Sequence, residues 1–134
     1  MDTRDRGVLD KQTTIITLET TTTDPWMLFL YPLKAPATTD KNIQRLMKFL
    51  DFLGYAGTRE EKTCAFASQA RADPIYAFNS VLKFFQTKRE QIVRKETAIG
   101  TVRNYVKSIK LFCDMADLQM PWAKIADVKS IDHA

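Results

Sequence analysis

From Thr39 onward the apolar residues recur three and four positions apart, in four stretches separated by helix start and stop signals. That spacing lines up one face of an α-helix and cannot line up one face of a strand, where the period is two. The punctuation is specific. Gly54 and Gly57 end the first stretch, as C-terminal glycines commonly do. Thr58-Arg59-Glu60-Glu61 is a capping box, S/T-x-x-E. Asp73-Pro74 is an N-cap followed by proline at the first helical position. No pair of alternating segments competes with these signals, so the chain is expected to be all-α.

The first helix is expected from a cap at Thr39 or Asp40 to about Leu53, burying Ile43, Leu46, Met47, Leu50 and Leu53. The second runs from the capping box to about Ala70 with Cys64, Ala65 and Phe66 inward. The third spans about Pro74 to Lys95, with Ile75, Phe78, Leu82, Phe85 and Ile92 as its core stripe. Thr97 caps the fourth, about Ala98 to Asp117, which buries Val102, Val106, Ile109 and Cys113. Gly100 falls in its first turn, where a glycine costs less than in mid-helix. Pro121-Trp122 opens a short last helix, with Trp122 and Ile125 closing the core. Phe49, Phe52, Phe84, Phe85 and Phe112, at helical spacing, are expected in that core rather than on a base-stacking platform. Tyr105 is expected to be structural.

Residues 1–24 are polar and threonine-rich. Ile15, Ile16 and Leu18 allow a short strand, but little here can bury itself, and a flexible leader is expected. Trp26 to Tyr31 is an apolar run bounded by Pro25 and Pro32, too short for a stable helix alone. It is expected to dock on the helical body, as either a short helix or an extended arm. The organisation expected is a leader over 1–24, one helical domain over 25–128 and a frayed tail over 129–134.

Of 134 residues, 45% are hydrophobic, enough for a real core. The two cysteines, Cys64 and Cys113, lie in apolar helical patterns with no C-x-x-C. Two buried free thiols in a reducing compartment are expected. No apolar run reaches membrane-spanning length, and Met1-Asp2-Thr3-Arg4-Asp5 lacks a secretory h-region. A cytoplasmic protein with no membrane partner is expected.

Chemistry finds little support. The single histidine, His133, is next to last, and a catalytic histidine needs a fixed partner around it. No metal-ligand spacing, Walker motif or G-x-G-x-x-G occurs. Glu60 and Glu61 are explained by the positive end of their helix. No R…H-x-x-R pattern accompanies a tyrosine nucleophile. No catalytic residue, cofactor, metal or small-molecule substrate is expected.

The basic residues are the remaining signal. Net charge is +4, and Lys83 to Lys110 holds eight Lys/Arg against Glu90 and Glu96 alone. Three groups share helical faces: Lys41/Arg45/Lys48, Lys88/Arg89/Arg94/Lys95 and Arg103/Lys107/Lys110. Such ridges supply phosphate contacts, although any soluble helix also carries a solvated charged face. Asn104 and Ser108 lie beside the last ridge, and asparagine and serine can reach base edges.

Several segments resemble the N-terminal core-binding, SAM-like domain of tyrosine recombinases (phage-type integrases), most closely archaeal integrase-like members. They are Thr39-Asp40-Lys41, Lys48-Phe49-Leu50-Asp51-Phe52-Leu53, Asp73-Pro74-Ile75-Tyr76-Ala77-Phe78 and Arg94-Lys95-Glu96. Thr101 to Phe112 and Met120-Pro121-Trp122-Ala123-Lys124-Ile125 are the more specific. The resemblance implies a four- to five-helix orthogonal bundle that grips one side of duplex DNA at a recombination site. It implies that strand cleavage belongs to a C-terminal catalytic domain outside this chain, that other recombinase protomers are partners, and that the protein is nucleoid-associated. The first and fourth helices would face DNA through Lys41, Arg45, Lys48, Arg103, Asn104, Lys107 and Lys110, with Arg94 and Lys95 on the backbone. Half a clamp would bind weakly, near the non-specific range of about 10⁻⁴–10⁻⁶ M. The competing expectation is a helical protein-interaction or assembly module without direct DNA contact.

Overall fold

The structure, a computed structural model, describes residues 24–125. The leader over 1–23, the tail over 129–134 and His133 lie outside the described residues. Among those described there are six helices and no strand, so the chain is all-α as the spacing requires. The helices are α1 (Pro25–Leu30), α2 (Pro36–Phe52), α3 (Arg59–Ala72), α4 (Pro74–Val93), α5 (Ile99–Met115) and α6 (Trp122–Ile125).

The apolar run after the leader forms a short helix rather than an arm. Asp24 caps it by accepting the Trp26 N–H at 3.0 Å, and Pro25 occupies the first turn. So short a helix holds only through docking: Trp26 and Phe29 are buried, and α1 lies against both α3 and α5.

α2 begins three residues before Thr39, because Pro36 supplies the start signal and Ala35 caps through the backbone alone. Its buried face is Asn42, Ile43, Leu46, Phe49 and Leu50, with Met47 and Leu53 at the margin. Phe52 departs from expectation and is 40% exposed. Gly54 ends the helix at φ +93°, and the Tyr55 N–H reaches back to the Leu50 carbonyl at 3.1 Å.

The capping box of α3 is complete. Thr58 Oγ1 accepts the Glu61 N–H at 3.1 Å, and Glu61 Oε1 accepts the Thr58 N–H at 2.7 Å. Its buried residues are Thr63, Phe66, Ala67 and Ala70; Cys64 and Ala65 face outward, against expectation. Small residues on the inner face let α1 and α4 approach closely. Thr63 tolerates burial because its hydroxyl donates to the Arg59 carbonyl at 2.9 Å.

Asp73 ends α3 and starts α4, its carboxylate accepting the Tyr76 N–H at 3.1 Å. The inner face of α4 is Ala77, Ser80, Val81, Phe84 and Phe85. Of the expected stripe only Phe85 is fully inside; Phe78 and Ile92 pack beside it, Leu82 is half-buried and Ile75 is exposed. The helix ends at Val93, and Lys95 takes the left-handed conformation (φ +61°) usual for glycine.

α5 starts at Ile99 without a side-chain cap, since Thr97 sits one residue before the Ala98 cap position. It buries Val102, Tyr105, Ser108, Ile109, Phe112 and Cys113. Arg71 of α3 donates to the Ala116 carbonyl at 2.9 Å, satisfying an orphan acceptor at its end.

α2 packs on α5, α3 on α4, and α1 bridges α3 and α5. A chain of rings joins the layers: Phe29–Phe112 at 6.0 Å, Phe112–Phe66 at 6.2 Å, Phe66–Phe49 at 5.4 Å and Phe49–Phe84 at 5.2 Å. Each such pair is worth about 0.5–1.5 kcal/mol beyond its buried area. Among the described residues, one fully buried side-chain hydrogen bond crosses this core. Ser108 Oγ donates to Asn42 Oδ1 at 2.7 Å, and Asn42 Nδ2 donates to the Thr38 carbonyl at 2.8 Å. That pair fixes how α2 and α5 face each other.

Candidate nucleic-acid interface

Lys41, Arg45, Lys48 and Phe52 follow one another at three- and four-residue spacing along α2, beside the buried face. Phe52 turns this strip toward α4: its ring meets the edge of Phe84 at 5.2 Å and 73°. Phe84 in turn packs on Tyr105 of α5 at 5.5 Å. The three rings form a ladder from the end of α2 across α4 to α5.

Lys88 lies on that ladder. Its Nζ is 4.7 Å from the Tyr105 ring centroid and 5.2 Å from that of Phe84. Burial pushes its pKa below the ordinary lysine range, and the nearby Lys48 ammonium lowers it further. Two helices thus bring two cations together with no carboxylate of the described residues pairing either. Like charges repel, and an anion that engages both removes that cost.

The remaining expected contacts are more dispersed. Lys41 and Lys48 are exposed and Arg45 is half-buried. Arg94 is engaged by Glu96 at 3.0 Å and Glu90 at 4.0 Å, and those carboxylates hold its pKa up. Lys95 is exposed beside it. Arg103, Lys107 and Lys110 are exposed on α5, with Lys110 paired to Asp114 at 3.1 Å. Asn104 is half-buried, and Ser108 is fully buried against Asn42, out of reach of any base.

At about 100° per residue, Arg103 and Lys107 stand about 160° around α5 from Tyr105, and Lys110 about 140°. The α5 ridge therefore lies on the solvent side of its helix, away from the Tyr105 ring. The sequence grouped Lys88 with Arg89, Arg94 and Lys95. Its spacing of four from Phe84 was the available signal that it belongs on an aromatic face.

Between the end of α2 and the middle of α4 lies a cleft of about 390 Å³, lined by Phe52, Leu53, Tyr76, Asn79, Ser80 and Lys83. Lys83 joins Lys48 and Lys88 as a third cation around the ladder, and nothing in the sequence patterning singled it out. Tyr76 is held by a hydroxyl–hydroxyl contact of 2.7 Å with Tyr55, which also donates to Gln69 at 2.8 Å. Among the described residues no group of three His, Cys, Asp or Glu could hold a metal ion, and no helix is long and apolar enough to cross a membrane. No protein-family model, curated protein or solved structure matches the chain.

Proposed function

We propose that the chain is a helical DNA-binding module, a core-binding domain of the tyrosine-recombinase kind. It holds one side of a duplex and leaves strand cleavage to other parts of the recombination machinery. The observation that carries this reading is Lys88, held over the Tyr105 and Phe84 rings with no ion pair among the described residues, its charge disfavoured by burial and then by Lys48 on a separate helix. A phosphate backbone relieves that repulsion and gains counterion release in doing so. Lys41 and Arg45 extend the basic strip along α2, and the segments quoted from the sequence supply the recombinase part of the reading. A protein that spends its time on genomic DNA would be nucleoid-associated.

Fluorescence anisotropy of a labelled duplex at about 50 and 200 mM salt tests this. The wild-type chain should bind, with affinity falling steeply at the higher salt. Lys48→Gln/Lys88→Gln, checked for native helix content, should bind every duplex sequence more weakly. Failure of the wild type to bind duplex at low salt would remove the DNA reading and leave a protein-contact module.

A further inference from the structure

We propose that the cleft between α2 and α4 seats one unstacked nucleobase on Phe52, with the flanking phosphates held by Lys48 and Lys83. This rests on the nucleic-acid reading above and adds that a strand can present a base out of its stack.

Three observations carry it. Phe52 is a large apolar ring left 40% exposed, yet it is anchored edge-on against Phe84. An anchored ring with a free face is what a base stacks on, and every base has a π-face. Second, Ser80 is only 6% exposed and lines the cleft, and among the described residues its hydroxyl has no hydrogen-bond partner. A buried hydroxyl without a partner is unfavourable, and it can both donate to and accept from a base edge. Asn79 beside it offers an amide with the same two capabilities. Third, among the described residues the only charged one lining the cleft is Lys83, and Lys48 lies one helical turn from Phe52. A ligand with an aromatic face, a hydrogen-bonding edge and negative charge on both sides matches this lining. A nucleotide within a strand has all three.

The test uses the full chain with a short single-stranded oligonucleotide carrying one 2-aminopurine, and in parallel a labelled duplex. With wild type, 2-aminopurine fluorescence should be quenched as the base stacks. Phe52→Leu keeps an apolar contact with Phe84 but removes the platform. It should abolish the quench and weaken single-strand binding by about tenfold. Ser80→Ala should weaken single-strand binding more modestly. In Phe52→Trp, the new indole should change its emission on binding, which gives a readout if the leucine variant is poorly folded. Duplex binding with no quench, or an unchanged quench in Phe52→Leu, overturns the base seat and leaves the DNA-binding reading standing. Failure to bind either nucleic acid overturns both.

Discussion

At the scale of single residues, Lys88 shows most clearly how packing sets the properties of a side chain. Its ammonium gains attraction from two ring faces but gives up hydration and meets Lys48. A lysine whose folded pKa lies below its unfolded value binds fewer protons in the folded chain over the window between them. Stability therefore rises with pH through that window, just below the ordinary lysine pKa of about 10.4. Removing Lys48 should raise the Lys88 pKa only part of the way back, since burial is the larger cause. NMR titration of the Lys88 side chain in wild type and Lys48→Gln measures this; an identical pKa in the two would mean the ammonium groups do not interact in solution. The cysteines give a second residue-scale contrast. Cys113 is fully buried and pushed up to about 12 by burial, then by Asp114. Cys64 is exposed, with its Sγ 3.8 Å from Asp24 Oδ1; partial burial raises its pKa and Asp24 adds to this. A thiol reagent should modify Cys64 in the native protein and Cys113 only on unfolding. Asp24→Asn, which preserves a capping side chain, should speed the Cys64 reaction by lowering its pKa. Timed labelling with mass spectrometry decides it.

At the scale of elements, helix ends were legible where a side chain makes the cap and obscure where the backbone does. Thr58, Glu61 and Asp73 announce their helices because their oxygens satisfy N–H groups that would otherwise be orphaned. Ala35 and Ala98 cap with no side-chain bond, so the starts of α2 and α5 do not fall at the nearest threonine or aspartate. Inner faces were shifted for a different reason. Counting apolar residues favoured Ile75, Phe78 and Leu82 on α4. The close packing of neighbours instead selected Ala77, Ser80 and Phe84, where small side chains admit another helix. Two C-terminal ends also hold residues where glycine is usual: Lys95 at φ +61° and Asp117 at φ +58°. In both, the next N–H reaches five residues back, Glu96 to Gln91 at 2.8 Å and Leu118 to Cys113 at 2.8 Å. Left-handed backbone costs an ordinary residue about 1–2 kcal/mol, partly offset by the entropy glycine loses on folding. Lys95→Gly and Asp117→Gly should each stabilise the fold, by roughly 0.5–1 kcal/mol in urea denaturation. The contrary substitution, Gly57→Ala, should destabilise. Gly57 has φ +113°, and a Cβ there would lie 2.5 Å from Glu61 Oε1, the oxygen that completes the capping box.

At the scale of the whole molecule, the identity of the basic residues was legible but their grouping was not. Lys48 and Lys88 are far apart along the chain, and only the packing of α2 and α4 beside Tyr105 makes them neighbours. Helical spacing found Arg103, Lys107 and Lys110 because all three lie on one helix, and it could not tell which way that helix faces. The strip on α2 and the ridge on α5 are thus two candidate faces for a duplex. The aromatic ladder marks the α2–α4 face, where Lys48 and Lys88 repel each other and gain most from an anion. The α5 ridge already spends part of its charge on Asp114. Two triple variants separate the faces through the salt dependence of duplex binding, which falls by about one unit of slope per lost phosphate contact. Lys41→Gln/Lys48→Gln/Lys88→Gln should lower the slope by about two to three. Arg103→Ala/Lys107→Ala/Lys110→Ala should lower it by less than about one. The reverse result would turn the molecule over on its DNA: α5 would face the duplex, and the cleft at Phe52 would open away from it. A base could then reach Phe52 only from a second strand, so the salt slopes of the two variants also decide whether the base seat and the duplex-binding face can serve one DNA molecule.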